Sequence, residues 1–198
     1  IAHEGDEDSP SFIVKSGRVA LLKSSASGKD LTVALLPPGD IFSVAMALDG
    51  NPTPYTAKSH GETVVLRTPT DLLRSALSEN PALYRELYEE LALRMQRAHD
   101  FSLRLAHEQV DVRIASALVE LAAEFGASKS GTKERIVIVT RQQLAQIAGT
   151  TPETAIRVTR AMEEDKILDL SQPSKIRIVD FNALLVRANE NEQLQINQ

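Results

Sequence analysis

The stretch Thr140-Arg-Gln-Gln-Leu-Ala-Gln-Ile-Ala-Gly-Thr-Thr-Pro-Glu-Thr-Ala-Ile-Arg-Val-Thr-Arg160 decides how this chain is read. Thr140 with Gln143 three residues on is a capping box, which starts a helix over 141–148. Gly149 supplies the positive-φ turn that ends it. Thr151 caps a second helix over 152–164, with Pro152 at its first position. Ala145 is small where the two helices must cross, and Leu144, Ala148, Ala155 and Val158 are the apolar faces that pack them together. A plain helical hairpin would use the same packing. The three-residue turn, the small residues and the hairpin that follows favour a helix-turn-helix.

On the C-terminal side, Ile167–Leu170 and Lys175–Val179 read as a hairpin around Ser171–Ser174, and Asp180–Arg187 as a closing helix. The Asn- and Gln-rich end is expected to fray. On the N-terminal side, Val112–Phe125 is an amphipathic helix with Arg113 in its first turn, closed by Gly126. A polar loop over 127–133 and a strand over 135–139 follow. The exposed side of the second helix carries Glu153, Thr154, Arg157 and Arg160, where a recognition helix would meet base edges.

Further out, residues 82–107 contain no Gly or Pro, and Asn80-Pro81 starts a helix there. Leu87, Leu91, Met95, Ala98, Ser102 and Leu105 recur at steps of three or four. Such a helix is roughly 39 Å long. It could pack on its own β-domain, but a narrow stripe on so long a helix favours a coiled-coil dimer seam. Before it, Thr70–Leu77 reads as a short helix with Thr70 as N-cap. Everything up to about residue 67 reads as β: a hairpin of 11–14 with 18–22 around Gly17, a turn at Ser25–Gly28, strands over 31–36 and 62–67, and a break at Pro37–Asp40 before Ile41-Phe42. Short strands at this spacing suggest a small barrel or sandwich.

Composition limits the possibilities. The 198 residues are 42% hydrophobic and 25% charged, the balance of a folded protein holding one large or two small domains. No Cys is present, which excludes disulfides, thiolate zinc sites and Cys-bound iron–sulfur clusters within the chain. Pro37, Pro38 and Asp40 interrupt the longest apolar stretch, so no membrane span is expected. Without a signal peptide the expected location is cytoplasmic. The net charge of −5 gives no pointer to nucleic acid. Residues 1–109 carry eleven Lys and Arg against fifteen Asp and Glu, whereas 110–180 carry ten of each.

From residue 140 to 164, with the hairpin behind it, the chain resembles the DNA-binding domain of the Crp/Fnr family of bacterial transcription regulators. Gly17, Gly28 and Pro38-Gly39-Asp40 resemble turns of that family's cyclic-nucleotide-binding-type β-roll. The long helix resembles its dimerisation helix, and Arg113-Ile-Ala the start of the next. The resemblance runs from Ile1 to about Val179. It implies an α+β protein with an effector-type β-roll over 1–80, a dimerisation helix over 81–109 and a winged helix-turn-helix over 110–198. The family's N-terminal helix and first strand have no counterpart here, and an N-terminally trimmed chain is expected.

The resemblance also implies roles. Glu153, Thr154 and Arg157 would read bases, the carboxylate accepting from cytosine and the Arg donating to guanine. Thr140, Arg141, Thr151, Arg160 and Lys175 would contact phosphates. Pro152 stands where the family often has an Arg, so the preferred half-site is expected to differ. In the effector pocket, Ser43, Val44, Tyr55, Thr56 and His99 occupy the positions of interest. Val44 stands where cyclic-AMP-responsive members place a ribose-binding Glu, Pro54-Tyr55-Thr56 lacks the phosphate-binding Arg, and Ala98-His99 replaces a Thr-Ser pair. The expectation is no cofactor and no use of cyclic AMP. His3, His60, His99 and His107 have no Cys or carboxylate cluster to make a metal site, and Tyr84 and Tyr88 are expected in core or seam packing. The reading is a homodimeric regulator, not an enzyme, whose partners are double-stranded DNA, a second copy of itself and RNA polymerase. The competing reading is a ligand-binding signalling module whose helix-turn-helix serves protein contacts, supported by the acidic charge.

Overall fold

The computed structural model describes residues 1–7, 10–125, 127–128 and 135–189. The expected Gly126 stop, most of the polar loop after it and the chain beyond Asn189 lie outside the described residues. The chain folds as two compact units, Ile1–Asp100 and Phe101–Gln198.

The first unit contains β1 (Ser11–Ser16), β2 (Val19–Ser24), β3 (Asp30–Leu36), β4 (Ile41–Phe42), α1 (Val44–Asp49), β5 (Thr56–Ser59), β6 (Val64–Thr68) and α2 (Thr70–Glu79). They make two three-stranded antiparallel sheets of order β4-β1-β6 and β3-β2-β5. Phe12, Val14 and Phe42 of one sheet share a core with Val19, Leu21, Leu36 and Ala57 of the other. Phe12 and Phe42 stack with centroids 5.1 Å apart.

The expected β1–β2 hairpin is not formed. β1 pairs with β4 and β6, and β2 pairs with β3 and β5. The chain changes sheets at Gly17, opposite the point where β5 runs on into β6. Gly17 has φ 76°, and a Cβ there would stand 2.2 Å from the Glu62 carbonyl oxygen. The Arg18 amide donates to Thr63 Oγ1 at 3.2 Å, and Thr63 Oγ1 donates back to the Arg18 carbonyl at 2.9 Å. Two ribbons therefore bend together at one corner, and the Gly that reads as a hairpin turn is the crossing point. The β2–β3 turn is formed as expected, with Gly28 at φ 75°.

Two further elements depart from an all-β reading of this half. α1 lies within the apolar run after Phe42, and the four-residue β5 lies in the polar stretch Thr56–Ser59. Thr70 is not the cap of α2. Pro69 holds that position, with no side-chain hydrogen bond. Val44, Ala47, Leu73 and Leu77 form a second small core, against which Ile41, Leu83 and Leu87 pack.

α3 (Ala82–His107) follows, and the division between the units falls within it. The Asn80 side chain accepts from the Ala82 amide at 3.3 Å, as a cap should. The second unit then contains α4 (Val110–Phe125), β7 (Ala127–Ser128), β8 (Arg135–Ile138), α5 (Arg141–Ala148), α6 (Pro152–Glu164), β9 (Leu168–Asp169), β10 (Lys175–Ile178) and α7 (Phe181–Ala188). Its sheet has the order β7-β8-β10-β9. Leu118 and Ile114 of α4, Leu144 of α5, Met162 of α6, Ile176 and Ile178 of β10 and Leu184 of α7 are each under 2% exposed, which makes one continuous core.

Candidate nucleic-acid interface

The helix pair α5–α6 is built by its ends. The Gln143 amide donates to Thr140 Oγ1 at 3.1 Å, and the Thr140 amide donates to Gln143 Oε1 at 2.9 Å, so the capping box is closed on both sides. Gly149 takes the left-handed conformation at φ 63°. Arg113 of α4 reaches the carbonyls that α5 leaves unpaired at its end, donating to Ala148 at 3.0 Å and Gly149 at 3.4 Å. It also donates to the Glu108 carbonyl at 2.7 Å. This anchoring of the turn is not visible in sequence, because Arg113 lies 35 residues from its partner.

Thr151 caps α6 by accepting from the Thr154 amide at 3.3 Å. The two hydroxyls lie 3.2 Å apart. Thr154 is half-buried beside this cap, in the first turn of α6 with Glu153. Ala155, Val158, Thr159 and Met162 form the buried face of α6. Glu153, Arg157 and Arg160 are exposed on the opposite face.

The residues expected over phosphates are spread along three elements. Thr140 and Arg141 are half-buried at the start of α5, Thr151 at the start of α6, and Lys175 is exposed at the start of β10. Burial pushes the Arg141 guanidinium below its ordinary pKa, while nearby Glu163 acts in the opposite direction. The group stays charged at any physiological pH. In the β9–β10 hairpin, Arg177 lies 3.5 Å from Asp169. Hydrogen bonding from Ser171, whose amide donates to Asp169, holds that carboxyl below the ordinary range, with Arg177 adding a smaller effect.

The effector positions fall on the first unit and do not all meet. Ser43, Val44 and Tyr55 line a cavity of about 130 Å³ whose walls include Phe42, Leu87 and Leu91, with Glu90 and Arg94 at its polar side. Ser43 has φ 60°, and its amide donates to the Tyr55 hydroxyl at 3.0 Å. Arg94 Nη2 donates to the Ile41 carbonyl at 3.1 Å and to Glu90 at 2.9 Å, and lies 3.6 Å from Asp40. Thr56 is outside this cavity; its Oγ1 accepts from the Glu4 amide at 3.2 Å. His99 is exposed on α3 and also outside it.

The sequence matches two family models, the cyclic nucleotide-binding domain over residues 1–80 and the Crp-like helix-turn-helix domain over residues 112–187. The chain belongs to the Crp/Fnr family. Among relatives of this Crp/Fnr regulator is the CRP-like cAMP-activated global transcriptional regulator of Mycobacterium tuberculosis, 26% identical over 151 residues, 76% of this chain and 67% of that one. The global nitrogen regulator of Synechococcus elongatus is 27% identical over 180 residues, 90% of this chain and 80% of that one. A CRP-family transcriptional regulator of Thermus thermophilus superposes with a TM-score of 0.83 at 23% identity, over 96% of this chain and 92% of that one.

α3, where the sequence leads one to expect a dimer seam, has none of its 26 residues buried. Leu91 is 46% and Met95 59% exposed. Ala98 and Ser102 are also exposed, and Leu105 is half-buried. Leu87 differs, since it packs on the small core under α1 and α2. Tyr84 and Tyr88, one turn from Leu87 and Leu91, are exposed and are not core residues. No helix among the described residues is long and apolar enough to cross a membrane. Among them, no group of three or more His, Asp or Glu could hold a metal ion.

Proposed function

We propose that this protein is a homodimeric, sequence-specific DNA-binding regulator that acts at a pseudo-palindromic site near promoters, independently of cyclic AMP. The observation that carries the reading is α6, whose exposed face holds Glu153, Arg157 and Arg160 on a helix locked by a cap and by a buried face. Glu153 and Arg157 read bases, the first as acceptor and the second as bidentate donor to guanine. Arg160, Arg141, Lys175, Thr140 and Thr151 hold phosphates, which sets position without setting sequence. Thr154, half-buried in the first turn of the same helix, joins Glu153 and Arg157 in the base-reading set.

Support for the dimer is the apolar stripe of α3, with Leu91 and Met95 each about half exposed in the single chain. Two copies would offer two recognition helices to major grooves about 34 Å apart. The division of labour is an effector-type domain over 1–80, a dimerisation helix over 81–109 and a DNA-binding domain over 110–198. The two family models leave α3 between them. RNA polymerase is the further partner such a regulator would address.

Independence from cyclic AMP is supported by the cavity lining. Val44 has no acceptor for ribose hydroxyls. The one cation there, Arg94, is flanked by Glu90 and Asp40, which would repel a phosphate. The residues do not fit the nucleotide.

Selection of bound duplexes from a random pool, followed by titration at several salt concentrations, tests the reading. Enrichment of a two-fold-symmetric motif is expected, with log affinity falling by about 0.9 per phosphate contact in log salt. A protein that enriches no duplex would instead match a signalling module whose helix-turn-helix contacts proteins.

A further inference from the structure

The cavity of the first unit is a void in an otherwise close-packed wall. Its volume of about 130 Å³ is bounded mainly by hydrocarbon from Leu21, Phe42, Val44 and Met46, the first three of them buried. Protein interiors hold few voids larger than a water molecule, and each costs stability. An apolar cavity of about 150 Å³ stays dry and accepts benzene, whereas pockets for drug-sized ligands begin at about 300 Å³. The space here is that of one ring. Ala45, Glu90 and Arg94 also line it and reach solvent, which gives a way in.

The polar part of the wall has a place for one hydrogen bond and none for a charge. Arg94 donates to Glu90 at 2.9 Å and to the Ile41 carbonyl at 3.1 Å, so this cation and this carboxylate satisfy each other. A charged ligand would be desolvated beside them without a counter-ion of its own. Tyr55 differs. Its hydroxyl accepts from the Ser43 amide at 3.0 Å, while Ser43 Oγ, the partner within reach of its own proton, is 3.4 Å away. An O–H···O bond is ordinarily about 2.7–2.8 Å long. The Tyr55 proton is thus available to a ligand oxygen at normal length.

We infer that the cavity binds an uncharged molecule the size of one ring, carrying a single acceptor oxygen, as in an alcohol or ketone, that accepts from the Tyr55 hydroxyl. The inference rests on the reading that this domain does not take cyclic AMP. It puts a small neutral ligand in a domain whose family model is named for a charged nucleotide. Volume excludes the larger ligand, and the closed Arg94–Glu90 pair excludes the charge.

The test uses the full chain labelled with ¹³C-methyl methionine. Of its three methionines, Met46 lines the cavity and Met162 lies in the core of the other unit as a control. Toluene, benzyl alcohol, benzoate and benzylammonium share one ring and differ in the head group. Benzyl alcohol should move the Met46 signal to saturation and leave Met162 in place. Toluene should bind about fivefold more weakly, the value of one net hydrogen bond. Benzoate and benzylammonium should be weaker still, by about tenfold or more. Tyr55→Phe keeps the ring and should bind toluene and benzyl alcohol alike. Val44→Phe fills the cavity and should bind neither; if that variant does not fold, Tyr55→Phe carries the test. A Met46 signal that no neutral probe moves overturns the inference alone. So does a charged probe that binds as tightly as the alcohol, an alcohol preference that survives Tyr55→Phe, or binding that survives in folded Val44→Phe. A Met46 shift that saturates with cyclic AMP overturns the reading of cyclic AMP independence, and the inference with it.

Discussion

At the scale of single residues, the two kinds of DNA contact can be separated by what each loses. Arg157→Ala should cost about 1–3 kcal/mol on the selected duplex and relax the preference at one base pair. Lys175, exposed at the start of β10, should behave differently. Lys175→Ala should weaken selected and scrambled duplexes alike and lower the salt slope by about one unit. Titration of both variants against both duplexes checks the pair, and an Arg157 variant that weakened the two equally would remove it from the reading face. A second residue-scale expectation concerns Asp40. Burial first, then Glu90, raises its carboxyl above the ordinary range, while Arg94 and Arg97 act against them. An acid whose pKa is higher folded than unfolded opposes folding once ionised. Asp40 therefore contributes nothing when protonated in both states, destabilises progressively as pH rises from its unfolded value to its folded one, and carries a constant penalty above that. Asp40→Asn should equal or exceed the parent in stability at neutral pH, with the difference closing towards about pH 4 in urea unfolding curves. An Asn variant that is weaker at neutral pH would mean that the ion pair with Arg94 outweighs the burial.

Among elements, α3 gives the clearest variant design, because its stripe is not uniform. Leu87 belongs to the core under α1 and α2, so a charge there would damage the unit itself. Leu91 and Met95 are each about half uncovered, so Leu91→Glu with Met95→Glu should convert a dimer to folded monomers in light scattering, with an unchanged circular dichroism spectrum. A doubly charged variant that stayed dimeric would place the seam elsewhere. The same helix shows which features sequence can reveal. α3, α5 and α6 follow from period, cap and turn chemistry, all local, and the helix boundaries over 82–107, 141–148 and 152–164 agree with the expectation. Strand partners are not local. Gly17 carries the same signal whether it closes a hairpin or crosses between sheets, and only the position of Glu62 and Thr63, far along the chain, distinguishes the two. β5 is hidden because Thr-Ala-Lys-Ser has no apolar alternation, and its strand exists through pairing with β2. At the interface, Glu153, Arg157 and Arg160 are legible from helical spacing. Arg113 at the turn is not legible as an anchor, because its partners are carbonyls.

For the whole molecule, the remaining matter is whether the first unit controls the second through a nucleotide. Its cavity is mostly apolar, and its polar groups are already occupied with one another: the Ser43 amide with the Tyr55 hydroxyl, and Arg94 with Glu90 and the Ile41 carbonyl. Admitting a cyclic nucleotide would break these bonds and set a phosphate beside two carboxylates. Desolvating that charge without a paired cation is costly. The acidic balance of residues 1–109 adds a field of the wrong sign. Calorimetry with cyclic AMP at about 1 mM would register any affinity better than about −4 kcal/mol, and no heat is expected. DNA affinity measured with and without the nucleotide should be the same, since a ligand shifts an equilibrium only by its differential affinity for the two states. A dissociation constant near 1 μM, about −8 kcal/mol, would require Arg94 to leave Glu90 for the phosphate. In that case Glu90→Gln should tighten nucleotide binding further, and the same titration on that variant would show it.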